Sequence, residues 1–234
     1  MAVRAQQLGM RIMIDFHYSD SWADPGKQTK PAAWTNHTFA ELLNDVYNHT
    51  FDVLNALKTA GVTPERVQIG NEIPEGMLWP EGSTSNWSQL PQLLNKGYDA
   101  TKAVDPSIKV IVHIDKGNDN ARFRWFFDNA TANNVKYDVI GMSYYPYWLN
   151  SDYTATIAAC LAKQSKRYGF QIRERSNGCG NRRRLYLGSK HLRHNSCGNC
   201  SRKKRAKRKR NWRELLGTGR RKKLEWVLIE CLAV

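Results

Sequence analysis

The triplet Gly70-Asn71-Glu72 stands directly after the short apolar run RVQI (residues 66–69). A carboxyl at the C-terminal tip of a strand can be enclosed by the surrounding loops, and enclosure favours its protonated form. Such a group can protonate a leaving oxygen. An Asn beside it can hydrogen-bond a sugar hydroxyl next to the reacting carbon. An Asn-Glu pair after a strand is also a common pattern with no chemistry attached, so it needs company. Asp15 and His17 end the run MRIMIDFHYS (10–19), His113 and Asp115 end KVIVHID (109–115), and Tyr144 and Tyr145 end YDVIGMSYYP (137–146). A lone strand-end His is usually structural. Several polar groups converging on one face point to a site.

Tryptophan adds to this. Trp22, Trp34 and Trp79 fall in loops, where a flat apolar face can stack on a sugar ring. Trp125, beside Phe126 and Phe127, reads as a core residue of a helix.

These residues are carried by alternating strand and helix patterns. Helical spacing of apolar residues marks 37–61, which stops at Gly61, then 87–105 and 120–134. The four apolar runs fall between them. Strands alternating with helices predict a parallel sheet with crossover helices. Polar residues at every strand's C-terminal end predict a β/α barrel, whose chemistry is built on that face. The fold class is therefore α/β.

Charge divides the chain of 234 residues in two. From Arg175 onward there are 19 Lys and Arg against 3 Glu, a balance of +16, whereas residues 1–174 carry 17 basic and 18 acidic groups. Four of the five cysteines, Cys179, Cys197, Cys200 and Cys231, also lie in that second part. The pattern predicts a domain over 1–174 and a basic tail over 175–234, disordered for much of 175–225. KKRAKRKR (203–210) resembles a nucleic-acid patch. Cys197 and Cys200 with His191 and His194 have poor spacing for zinc. No specific nucleic-acid partner and no metal are expected. No run of 18 apolar residues suggests a membrane span, and MAVRAQQLGMRIMIDF lacks the layout of a signal peptide. Sequons at Asn36, Asn48, Asn86 and Asn129 favour a secreted glycoprotein.

DFHYSDSWADPGKQTKPAAW (15–34), QIGNEIPEGMLWPEG (68–82), VIVHID (110–115) and VIGMSYYPYW (139–148) closely resemble glycoside hydrolase family 53, the arabinogalactan endo-β-1,4-galactanases. The blocks occur in the family's order and spacing. The resemblance implies a secreted barrel enzyme that cleaves β-1,4-galactan of pectin with retention of configuration and without a cofactor. It implies Glu72 as acid/base, with Asn71 holding the sugar 2-hydroxyl. It also implies site-lining roles for His17, His113 and Tyr144 or Tyr145, and stacking roles for Trp22 and Trp79. Asp15 and Asp115 join them as substrate-binding candidates by their strand-end positions.

Two departures temper this. The family has further β/α units before this segment, and later strands reading V-V-E-[VI]-G-G, which bears the nucleophile, and W-E-P-E-G. Neither string occurs here. The expectation is about four central units of an incomplete (β/α)8 barrel, with two bare parallel edges, poor stability and little or no hydrolysis. The tail reads as a frame slip: suitable codons for ERSNGCGNRR (174–183), read one base later, spell R-E-V-M-V-V-E-I-G-G. Residues 216–232 likewise give a string resembling the final motif, but 202–215 recover nothing. Two other functions stay open. One is a non-catalytic carbohydrate-binding remnant. The other is a basic nucleic-acid-binding protein, which would show a steep salt dependence. Oligomeric state is not legible.

Overall fold

The computed structural model describes residues 1–144 together with the strand segments 170–176, 183–189 and 226–231. Tyr145 and the Cys197, Cys200, His191 and His194 group lie outside the described residues.

Four parallel strands form the centre: β1 (Arg11–Phe16), β2 (Arg66–Ile69), β3 (Lys109–Ile114) and β4 (Val139–Tyr144). They are hydrogen-bonded in chain order, with Asp15 opposite Gln68, Gln68 opposite Ile111, and His113 opposite Gly141. A short helix α1 (Ala2–Gln7), unforeseen in the sequence, leads into β1. Three crossover helices follow: α2 (Phe39–Thr59), α3 (Leu90–Val104) and α4 (Asn120–Ala132). All three fall within the stretches that helical spacing marked.

Local chemistry sets their ends. Thr38 caps α2 through the Glu41 N–H, and Glu41 reaches back to the Thr38 N–H. The helix stops at Gly61, which takes φ +76°. Leu42, Val46, Thr50 and Leu54, four apart, form the buried stripe of α2. Asp119 caps α4 by accepting from the Arg122 N–H.

The sheet has two apolar faces, as a strand periodicity of two requires. Ile14, Phe16, Val67, Ile69, Val112 and Met142 join the helices in the larger core. Met13, Ile111 and Val139 form a separate buried cluster on the other face. Burying each such side chain contributes roughly 1.5–3 kcal/mol. Gly97 lets α3 approach the sheet closely, since a Cβ there would meet Ile69 Cγ2 at 2.8 Å.

Three expectations are revised. The edges of the four-strand sheet are not bare: β7 (Trp226–Cys231) pairs parallel with β1, and β6 (Arg183–Ser189) pairs antiparallel with β4. β5 (Phe170–Ser176) completes a seven-stranded sheet against β6. Open edges therefore no longer supply a reason for instability. β6 also lies within the stretch expected to be disordered. Finally, Trp125 is 46% exposed. The buried stripe of α4 is Phe123, Phe126, Phe127 and Ala130, and Trp125 falls outside that spacing.

Candidate active site

The C-terminal ends of β1, β2 and β3 bring Asp15, His17, Asn71, Glu72, His113 and Asp115 together. The chain leaves β2 through two left-handed residues, Gly70 at φ +78° and Glu72 at φ +48°. A left-handed non-glycine residue is uncommon and persists only where its surroundings hold it. Those surroundings are visible. The Glu72 N–H donates to His113 Nδ1 at 3.2 Å, the Ile73 N–H donates to the His113 carbonyl at 3.0 Å, and the Gly70 N–H donates to the Phe16 carbonyl at 2.9 Å. Glu72 is half-buried, while Asn71 is buried.

Both histidines are set in one tautomer by backbone donors. His113 Nδ1 accepts from Glu72, so the neutral ring carries its proton on Nε2, which faces Ser143 Oγ at 3.0 Å. His17 Nδ1 accepts from the Ala23 N–H at 3.0 Å, which directs Nε2–H toward Asp15 Oδ2, 3.8 Å away. The His17 ring also meets Trp22 edge-on, with 5.6 Å between centroids.

A buried circuit runs under the site. Gln68 Nε2 donates to Asp15 Oδ1 at 2.6 Å and lies 3.3 Å from Asn71 Oδ1. Asn71 Nδ2 donates to the Ala23 carbonyl at 2.9 Å. Ala23 returns through His17 to Asp15. Asp15, wholly buried, thus lies beneath the face and reaches it through Gln68 and His17. Asn71 Nδ2 carries two protons, of which the Ala23 carbonyl takes one.

Asp115, 8% exposed, accepts from Arg122 Nε at 3.1 Å. Burial pushes its carboxyl above the ordinary range, and Arg122 and Lys116 oppose the rise. Arg122 also reaches Glu75 at 3.6 Å. Trp22 is 57% exposed at the rim. Trp79 is half-buried, and its indole N–H donates to the Glu75 carbonyl. Trp34, expected in a loop as a sugar platform, is half-buried. It packs against the helix-side core, with its ring 5.9 Å from His49 and 6.4 Å from Tyr18. Tyr144 is the last residue of β4, opposite Arg183 of β6.

Sequence reasoning missed Gln28, Gln68, Ser143 and Arg122. Gln68 left a signal, being a polar residue inside an apolar strand on the face of Asp15. Gln28 left none, because it lies in a loop 43 residues away from the Asn71 it touches. Among the described residues no group of three or more His, Cys, Asp or Glu is arranged to hold a metal. No described helix is long and apolar enough to cross a membrane.

Comparison with known proteins finds relatives of one family. Residues 1–174 match the profile of glycosyl hydrolase family 53. An arabinogalactan endo-beta-1,4-galactanase of Thermothelomyces thermophilus is 36% identical over 178 residues, covering 74% of this chain and 53% of that one. An uncharacterised protein of Niallia circulans, from the bgaB 5' region, is 46% identical over 156 residues, covering 63% and 43%. The family 53 catalytic domain of Ignisphaera aggregans superimposes with a TM-score of 0.68 at 41% identity, covering 71% of this chain and 46% of that domain. A fungal β-1,4-galactanase structure gives 0.67 at 36%, covering 71% and 52%. The chain spans about half the length of the curated relatives it matches.

Proposed function

Because this chain belongs to glycosyl hydrolase family 53, we propose that it carries the acid/base half of a retaining endo-β-1,4-galactanase site acting on galactan of pectin. The observation that carries the reading is the held Glu72, a half-buried carboxylate on a left-handed residue at the tip of β2. Retention requires a nucleophilic carboxylate and an acid/base about 5–5.5 Å apart. Glu72 is the acid/base: it protonates the departing glycosidic oxygen, then takes a proton from the water that releases the glycosyl-enzyme. The spare Nδ2 proton of Asn71 donates to the sugar 2-hydroxyl. Trp22 and Trp79 offer ring faces to neighbouring galactosyl units.

His17 and His113 act in this scheme by fixing the loop backbone, and Asp15 by holding Gln68. Asp115 lies farther along the same face, where its carboxyl can accept from a sugar hydroxyl. The site residues need no metal and no cofactor for this chemistry. Asp15 is sealed beneath the site and Asp115 is engaged by Arg122, so neither suits the nucleophile. That role belongs to the strand motif missing from the sequence. The four sequons, with Asn36 and Asn48 exposed, support an extracellular site of action.

The test is reducing-end release from β-1,4-galactan by this polypeptide and by its Glu72→Gln variant. Equal release, at the level of the buffer, is expected because the second carboxylate is missing. Release by the unmodified chain well above the variant would show that another carboxylate in this chain serves as nucleophile. Galactan retention by both proteins without turnover would favour the second reading, a carbohydrate-binding remnant, which the exposed Trp22 supports.

A further inference from the structure

Gln28 is 1% exposed and sits in the loop between β1 and α2. Its Nε2 lies 2.9 Å from the Asp24 carbonyl, 2.9 Å from the Asn71 carbonyl and 3.2 Å from the Glu72 carbonyl. Two protons serve three acceptors, so at least one bond is shared. Its own carbonyl accepts from the Trp79 N–H at 2.8 Å. One side chain and its peptide therefore join three segments: the loop after β1, the tip of β2 and the loop carrying Trp79.

The arrangement is directional. The amide must present nitrogen to the carbonyls, because three acceptors surround it. Its oxygen is then buried and has no hydrogen-bond partner among the described residues. A buried amide oxygen left without a donor is unfavourable, so the donors on the nitrogen side must outweigh that cost. Two adjacent carbonyls, Asn71 and Glu72, can converge on one donor because Gly70 and Glu72 are both left-handed. Relaxing Glu72 to a right-handed or extended backbone would rotate its carbonyl away from Gln28 and its N–H away from His113.

We propose that Gln28 is a positioning residue for Glu72. It holds the two carbonyls at the tip of β2, so that the carboxylate keeps one direction relative to Asn71 and Trp79. The proposal rests on the reading of Glu72 as acid/base, but the geometry of the tip can be tested without turnover.

The experiment is amide hydrogen exchange by nuclear magnetic resonance on the full chain, comparing the unmodified protein with Gln28→Met. The variant keeps the length of the side chain and removes its donors. Glu72 is expected to exchange at least about tenfold faster, while Val112 and Ile140 in the strands stay unchanged. Unchanged exchange at Glu72, with the strand amides still protected, would overturn the proposal. If Gln28→Met loses the strand amides, Gln28→Asn decides on the same readout, since it keeps an amide too short to span both carbonyls. Galactan cleavage above the level of the buffer that Glu72→Gln leaves undiminished would count against the acid/base reading and leave this result standing.

Discussion

The N–H of Glu72 donates to Nδ1 of His113 across 3.2 Å, so the proposed acid is held through its backbone by an imidazole from the neighbouring strand. The same ring meets Ser143 through Nε2. His113→Leu should strip the acceptor from the Glu72 amide and the partner from Ser143, destabilising the chain by about 1–3 kcal/mol. His113→Gln offers an amide oxygen for the same proton and should fall between the two. Denaturant midpoints of the three proteins check this. Equal losses in both variants would mean that ring volume, and not the accepting nitrogen, is what the fold uses.

Trp22 and Trp79 should separate binding from stability. Trp22 is 57% exposed and meets the fold mainly through its edge contact with His17. Trp22→Ala should weaken binding of a β-1,4-galacto-oligosaccharide by about two- to tenfold, in line with roughly 0.5–1.5 kcal/mol for a ring contact, while Tm moves little. Trp79 bonds Glu75 through its indole and Gln28 through its backbone, so Trp79→Ala should lower both affinity and Tm. Calorimetric titration and thermal melts give the two readings. A fall in Tm for Trp22→Ala as large as that for Trp79→Ala would assign Trp22 to packing.

Much of this was legible in the sequence, for physical reasons. β1 to β4 are largely apolar on both faces, so each stood out as an apolar run with polar residues gathered at or near its C-terminal end. Asp15, His17, Glu72 and His113 were visible for that reason. What stayed hidden depends on contacts distant in sequence. Nothing in a loop glutamine announces that it will meet carbonyls at 71 and 72. The surroundings of Trp34 and Trp125 were not legible because an indole is ambiguous until its neighbours are known. Trp34 found Tyr18 and His49, whereas Trp125 lay off the stripe of its helix.

Two titrating groups should give opposite pH responses. His49 packs among Phe16, Tyr18 and Trp34, and burial holds its imidazole below the ordinary value, with Asp52 opposing. The unfolded chain then binds the proton more readily. His49 stability is therefore complete above the ordinary value of 6.5 and is lost as pH falls through and below it. Asp115 is a carboxyl raised by burial, so here the folded chain binds the proton more readily. Its stability is greatest below the ordinary value of 3.8 and is lost as pH rises above it. His49→Phe should flatten the decline of Tm between about pH 7 and 5, and Asp115→Asn should remove a loss that begins near pH 4. A His49→Phe protein with an undiminished acid decline would place the sensitivity elsewhere.

The charge boundary leads to a test at the level of the gene. The family match ends at residue 174, and the segment from Arg175 onward holds 19 Lys and Arg against 3 Glu. Selection for a basic surface would explain the charge but not the coincidence of the two boundaries. A one-base slip explains both, because A- and G-rich codons read out of frame yield Arg and Lys. The slipped frame has limited freedom, since the first and third bases of each new codon are largely set by the residues now written. The coding DNA for 174–183 is therefore expected to contain a string equivalent to GAG AGA AGT AAT GGT TGT GGA AAT CGG CGG. Read one base later, it gives V-V-E-I-G-G, with the nucleophile's codon split between Gly180 and Asn181. Sequencing the gene and its transcript decides. Codons incompatible with that frame would leave the basic segment as an inherited part of the protein, and its charge would then need a partner. Compatible codons would predict that restoring the frame supplies the carboxylate facing Glu72.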